Sequence, residues 1–216
     1  MAAIADVFSR FVQRQIKKFP FSEGPFSAES DLIRDTLVAL NTNKLLTVNS
    51  QPAANGVRSD DPVFGWGPPK GYLYQKAYFE FFIPRELVEP LEVHLNQQET
   101  VSYQMLSMDG DERQNVEQED EHVNAVTWGI FPNREVIQPT VVDSRAFRLW
   151  KREAFSGWLD KWGYIYGAES PSYAFLKHVH DTFYLVNVVE NDYVGGDLSR
   201  LLLQFIDQHQ DLINSI

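Results

Sequence analysis

The run Phe183-Tyr184-Leu185-Val186-Asn187-Val188-Val189 places apolar side chains at both parities of an extended chain. Such a segment has no face to offer water, so it reads as a buried strand, and the rest of the chain must cover it. Cover is available. Ala5 to Lys18 carries Val7, Phe8, Phe11, Val12 and Ile16 near helical spacing. Ser27 is read as the N-cap of a helix over Glu29 to Leu40, with Ile33, Leu37 and Leu40 on one face and Glu29 and Asp31 in its first turn. Pro84 opens a helix through Leu87, Val88, Leu91 and Leu95, which Pro90 is expected to bend or shorten. Asp143 caps a long helix whose Phe147, Trp150, Ala154, Trp158 and Trp162 form a core-facing stripe. Two more helices are expected, from Ser172 to Thr182 after Pro171, and from Leu198 to Ile213. Strands are expected over Leu45 to Asn49, Tyr72 to Phe82 and Val101 to Met108, and as a pair around the turn Phe131-Pro132-Asn133. Gln51 to Gly71 and the acidic Asp109 to His122 read as loops. Strands and helices do not alternate regularly. The expected class is therefore α+β, a single domain of mixed β-sheets packed with helices.

Composition removes several functions. The 216 residues suffice for one sizeable core. A formal charge of -11 argues against binding to nucleic acid or to an anionic membrane. No run of apolar residues is long enough to span a bilayer, and the N-terminus lacks the pattern of a signal peptide. The absence of cysteine removes disulfides and thiolate metal sites, and fits a cytoplasmic setting.

Catalytic and metal motifs are thin. His178 and His180 lie two apart on an expected helix and point in different directions, so no metal site is expected. Asp109-Gly110-Asp111-Glu112 lacks the spaced acids of a calcium loop. Gly65 to Gly71 is glycine-rich, but Pro68 and Pro69 remove two N–H groups that a phosphate cradle needs. No nucleophile elbow or dinucleotide fingerprint is present. What remains is a set of small hydroxyls and one acid near element ends: Glu29 and Ser30, Thr47 and Ser50, Thr127 and Thr140. Caps and turns account for most such residues. As a set they suit a neutral-to-zwitterionic small ligand better than a reaction, because no base activates them.

Five strings sharpen this: "LTVNSQP", "DPVFGWGPPKGYLYQKAYFEFF", "NAVTWGIFPNREVIQPTVVD", "EAFSGWLDKWGYIYGAESPS" and "HDTFYLVNVVENDY". In order and spacing they resemble the C-terminal regulatory domain of eukaryotic methylenetetrahydrofolate reductase, from about Phe19 onward. The resemblance implies residues 19–216 as an S-adenosylmethionine-binding regulatory domain, with 1–18 as a helical linker remnant. It implies no catalytic residues and no cofactor in this chain. The FAD-binding catalytic barrel, which uses a nicotinamide cofactor, would be a separate part and a partner that the ligand inhibits. S-adenosylhomocysteine would compete for the site, and the domain would contribute to a homodimer.

By the same resemblance, "PFSAES" places Ser27, Ala28, Glu29 and Ser30 at the ligand. "TVNSQ" adds Thr47, Val48, Asn49, Ser50 and Gln51, and the hairpin string adds Thr127 and Thr140. Ser30 replaces a family Thr and keeps the hydroxyl. Asn133 replaces a Gly in the turn and tolerates the left-handed conformation. Two rivals are weighed. A methyltransferase would need a glycine-rich loop after its first strand and an acid ending its second, and neither is found. A dimerisation scaffold with a decayed site is disfavoured by the retained Glu29, Thr127 and Thr140.

Overall fold

The computed structural model describes residues 2–17, 26–65, 71–115, 128–131, 160, 163–164 and 167–216. Six α-helices lie among them: α1 (Ala2–Val12), α2 (Arg34–Thr42), α3 (Val88–Asn96), α4 (Pro171–Thr182), α5 (Asp197–Gln208) and α6 (Gln210–Ser215). Eight strands accompany them: β1 (Leu46–Gln51), β2 (Ala54–Arg58), β3 (Tyr72–Gln75), β4 (Tyr78–Pro84), β5 (Val101–Leu106), β6 (Glu112–Gln114), β7 (Trp128–Phe131) and β8 (Phe183–Glu190). They form an antiparallel five-stranded sheet, in the order β1-β4-β8-β5-β6, and a three-stranded sheet, in the order β2-β3-β7. The class is α+β.

The doubly apolar run becomes β8, the middle strand of the larger sheet, buried from Tyr184 to Glu190. Its Tyr184, Val186 and Val188 join Phe79, Phe81 and Ile83 of β4 and Val101, Tyr103 and Met105 of β5 on one face. Helices α2, α3 and α5 cover that face with Leu37, Leu40, Leu91, Leu95, Leu201, Leu202 and Phe205. The first helix shares this core through Val12, which is fully buried. On the opposite face Leu46, Phe82, Leu185 and Leu106 lie in one row against Val179 of α4.

Several expectations are corrected. The segment after Ser27 opens as a 3-10 turn over Glu29–Ile33 before α2 begins, with Ala28 in the cap position and no side-chain cap. Ser27 is exposed and does not cap it. Asp31 instead pairs with Arg34 and, at 2.7 Å, with Arg14 at the end of the first helical segment. Tyr72 to Phe82 is not one strand. It breaks at Lys76 and Ala77 and passes from one sheet to the other. The expected loop after Gln51 contains β2, and the acidic loop contains β6. Pro90 does not cut α3 short, because it occupies the third helical position, where the N–H has no partner within the helix. The final helix is broken at His209 into α5 and α6. Pro171 does begin α4, with Ser170 as its N-cap accepting from the Tyr173 N–H at 3.0 Å. The helix expected after Asp143, the Phe147 to Trp162 stripe and most of the acidic run after Asn115 lie outside the described residues, apart from isolated positions.

Candidate functional site

The chain crosses between the two sheets twice at one place. The first crossing runs from β1 through Pro52 into β2, and the second from β3 through Lys76 into β4. Two glutamines tie the crossings together. The Gln75 side-chain amide donates to the Pro52 carbonyl at 2.7 Å, and the Gln51 amide donates to the Lys76 carbonyl at 2.7 Å. Each buried carbonyl left over where a ladder ends thus finds a partner. This junction holds the candidate site.

Glu29, at the start of the 3-10 turn, sits against it. Its carboxyl hydrogen-bonds the Gln75 side chain, and burial raises its pKa above the ordinary value more than that bond lowers it. Ser30 beside it is buried, while Ser27 and Ala28 are exposed. Gln75 also registers opposite Trp128, the first residue of β7. Thr127 and Thr140 lie outside the described residues.

On β1 the registry is not regular. Leu46 faces Phe82 and Thr47 faces Phe81, but Asn49, not Val48, faces Glu80. Val48 is therefore the extra residue of a bulge, and the bulge exchanges the faces of everything after it. Without it the short apolar Val48 would stand opposite Glu80. With it, the exposed Asn49 does, and its side chain hydrogen-bonds both the Glu80 carboxyl and the Tyr78 hydroxyl. The Asn49 side-chain oxygen accepts from the Ser50 N–H at 3.0 Å, which fixes the amide. Thr47 is used differently. It is buried, its hydroxyl oxygen accepts from Asn41 at 2.7 Å, and its N–H donates to Asn41 at 3.2 Å. Thr47 thus fastens β1 to α2, whatever else its hydroxyl does.

The structure brings Glu29, Asn49, Ser50 and Gln51 around one junction and adds three residues that sequence reasoning passed over: Gln75, Tyr78 and Glu80. Tyr78 feels both Glu80 and Glu29, and burial keeps its phenol protonated far above neutrality. Glu80 is 5% exposed, and burial pushes its carboxyl up to about 8 against the weaker opposing pull of Asn49. A signal was present. A glutamate inside the apolar "YFEFF" is costly to bury unless it is hydrogen-bonded or protonated, and such residues are functional candidates.

Elsewhere, His178 is exposed, and the buried His180 lies with its Nδ1 3.0 Å from an Asp181 carboxylate oxygen. No cluster of three or more histidine or acidic side chains suited to a metal ion occurs among the described residues. Asp109 pairs with Arg85 at 2.7 Å and Asp111 with Arg113 at 3.3 Å. No described helix is long and apolar enough to cross a membrane.

An α+β domain with a polar, half-buried cluster at the junction of its two sheets is the class of molecule seen here. The chain belongs to the family described as MTHFR, SAM-binding regulatory domain, whose model matches residues 5–214. Among its relatives, methylenetetrahydrofolate reductase 1 of Schizosaccharomyces pombe is 42% identical over 213 residues, covering 97% of this chain and 35% of that protein. Methylenetetrahydrofolate reductase (NADH) 1 of Zea mays is 44% identical over 196 residues, covering 90% of this chain and 33% of that protein. A probable methylenetetrahydrofolate reductase (NADPH) of Caenorhabditis elegans is 46% identical over 168 residues, covering 76% and 25%. The chain spans about a third of the length of the first two and a quarter of the third.

Proposed function

We propose that this chain senses S-adenosylmethionine at the sheet junction and, in a longer protein, inhibits a methylenetetrahydrofolate reductase catalytic part that carries the FAD. The observation that carries this reading is Glu29 held against Gln75, in a chain whose family model is named for S-adenosylmethionine binding. The residues suit that ligand chemically. It carries a sulfonium cation, an amino-acid head and a ribose with two hydroxyls. Two carboxyl groups, the amides of Asn49 and Gln51 and the hydroxyls of Ser50 and Tyr78 offer acceptors and donors for these groups. Ser27, Ala28, Ser30, Thr47, Val48, Thr127 and Thr140 belong to the same proposed contact set, with Thr47 also serving Asn41.

In this reading residues 19–216 are the ligand-binding domain and residues 1–18 lead into it from the catalytic part. Inhibition requires that the ligand bind two conformations of the whole protein unequally. S-adenosylhomocysteine shares all but the methyl group and the charge, and it competes for the site. The chain forms a homodimer in the cytoplasm. Equilibrium dialysis with labelled S-adenosylmethionine tests the core of this reading. Saturable binding near one ligand per chain, displaced by S-adenosylhomocysteine, is expected. Failure to retain the label at millimolar protein refutes it. Light scattering that returns a monomer mass at every concentration refutes the dimer.

A further inference from the structure

Glu80 lies in a row of polar side chains that crosses the whole larger sheet. The registers place Asn49 of β1, Glu80 of β4, Asn187 of β8, Gln104 of β5 and Gln114 of β6 side by side on one face. Glu80, Asn187 and Gln104 are buried, while Asn49 at one edge and Gln114 at the other are exposed. The row holds a carboxyl in the interior, and among the described residues the bulge at Val48 gives that carboxyl a polar connection, through Asn49, to the candidate site.

Among the described residues, the charged and titratable groups on the elements packed at this face are as follows, with α4 contributing the buried His180 beside Asp181 next to the Val179 that packs there. Tyr78 lies on the same strand, and Glu29 faces Tyr78 from the 3-10 turn. β1 contributes the neutral Asn49, β8 the neutral Asn187, and β5 the neutral Gln104, whose amide is tied to Glu112 of β6 at 2.7 Å. The influences acting on Glu80 are burial and the Asn49 hydrogen bond; no cation among the described residues stabilises its ionised form. With its carboxyl up at about 8, Glu80 is mostly protonated in the ligand-free chain at neutral pH. A positive charge arriving at Asn49 supplies the missing counter-charge.

We propose that docking of a cationic ligand beside Asn49 expels the proton of Glu80 to solvent, leaving one buried carboxylate to answer the ligand's positive charge. This rests on the reading of the junction as the S-adenosylmethionine site. One O–H bond of the carboxylic acid breaks and buffer takes the proton; nothing else changes covalently. Since the ionised form is the binding form, affinity rises with pH below about 8, by up to about tenfold per pH unit, and the Glu80 contribution levels off above that.

The experiment is isothermal titration of the whole chain with S-adenosylmethionine at pH 7, repeated in phosphate, imidazole and Tris. The dependence of the observed heat on buffer ionisation enthalpy counts the protons released. The same titrations on Glu80→Gln subtract every other titrating group, including the ligand's amino group. About 0.9 proton released in the unmodified chain, and lost in Glu80→Gln, whose weaker binding is titrated at higher ligand concentration, is the expected result; a folded Glu80→Gln that binds as tightly as the unmodified chain at pH 8 overturns the proposal. Binding without net release in the unmodified chain, or equal release in the variant, overturns the proposal. If circular dichroism shows the variant unfolded, the unmodified chain and Glu29→Gln decide. The ligand's amino group, ordinarily titrating near 8, takes up protons when it is held as the ammonium, so a net uptake refutes the proposal; Glu29, whose pKa burial also raises, is separated by Glu29→Gln, in which the release must persist to belong to Glu80 and whose loss there overturns the proposal. Absence of any binding heat together with absence of any thermal shift overturns the ligand reading itself, and this inference with it.

Discussion

Replacing Glu80 by Gln changes how the stability of the ligand-free chain depends on pH. The carboxyl titrates near 4.5 when solvated and is pushed up to about 8 in the fold. Its folded form holds its proton more tightly than the unfolded form, so the group's stabilising contribution is complete below about 4.5 and is lost as pH rises towards 8. Each pH unit in that window costs up to ~1.4 kcal/mol, so between pH 6 and 8 the unmodified chain loses ~2 kcal/mol through this residue alone. For a chain of this size that corresponds to ~4–8 °C in melting temperature. Gln keeps the shape and the contact with Asn49 but does not titrate. Whatever constant cost the substitution carries, the gap between the two proteins must narrow or reverse as pH rises. Histidines and the chain terminus titrate in both proteins alike and cancel in the difference. The assay is thermal unfolding by circular dichroism at half-unit pH steps from 5 to 9. Parallel profiles would show that Glu80 ionises normally, and the argument from its burial would fail.

Other outcomes follow from the same geometry. Thr47→Val removes the acceptor of a buried Asn41 N–H and should destabilise the ligand-free chain by ~1–2 kcal/mol in urea unfolding. Glu29→Gln should weaken S-adenosylmethionine about tenfold to a hundredfold in a binding titration while leaving urea stability nearly unchanged, since the side chain is half-exposed and keeps its shape. Leu202→Ala opens a cavity under the buried face of α5 and should cost ~2–5 kcal/mol by the same urea assay.

Elements whose cause is local were legible in the sequence. β8 declares itself because a strand apolar on both faces has only one place to lie, and it lies in the middle of the sheet. α4 declares itself through Ser170 and Pro171, a cap and a first-position proline adjacent in the chain. The misreadings share a different origin. The Tyr72 to Phe82 run alternates as one strand should, and nothing local marks Lys76 as a crossing. The break becomes visible only when Gln51, 25 residues earlier, is seen to hold the Lys76 carbonyl. Ser27 looks like an N-cap because it precedes two acids. The Asp31 carboxylate, however, is committed to Arg14 and Arg34, and the chain enters α2 through a tighter turn. The Val48 bulge is a property of strand pairing, invisible in one strand's pattern, and it decides that Asn49 faces Glu80. The resemblance names Glu29, Asn49, Ser50 and Gln51 one by one; that strand pairing gathers them beside Tyr78 and Glu80 is not written in any of their strings.

The central claim is that S-adenosylmethionine occupies the junction framed by Glu29, Asn49, Gln75, Tyr78 and Glu80. A crystal structure of the chain grown with that ligand tests it most directly. The account predicts ligand density at the junction, with the Glu29 carboxylate and the Asn49 amide within hydrogen-bonding reach, about 3.2 Å or closer, of its polar groups. Ligand bound at a site that touches none of these five residues would contradict it.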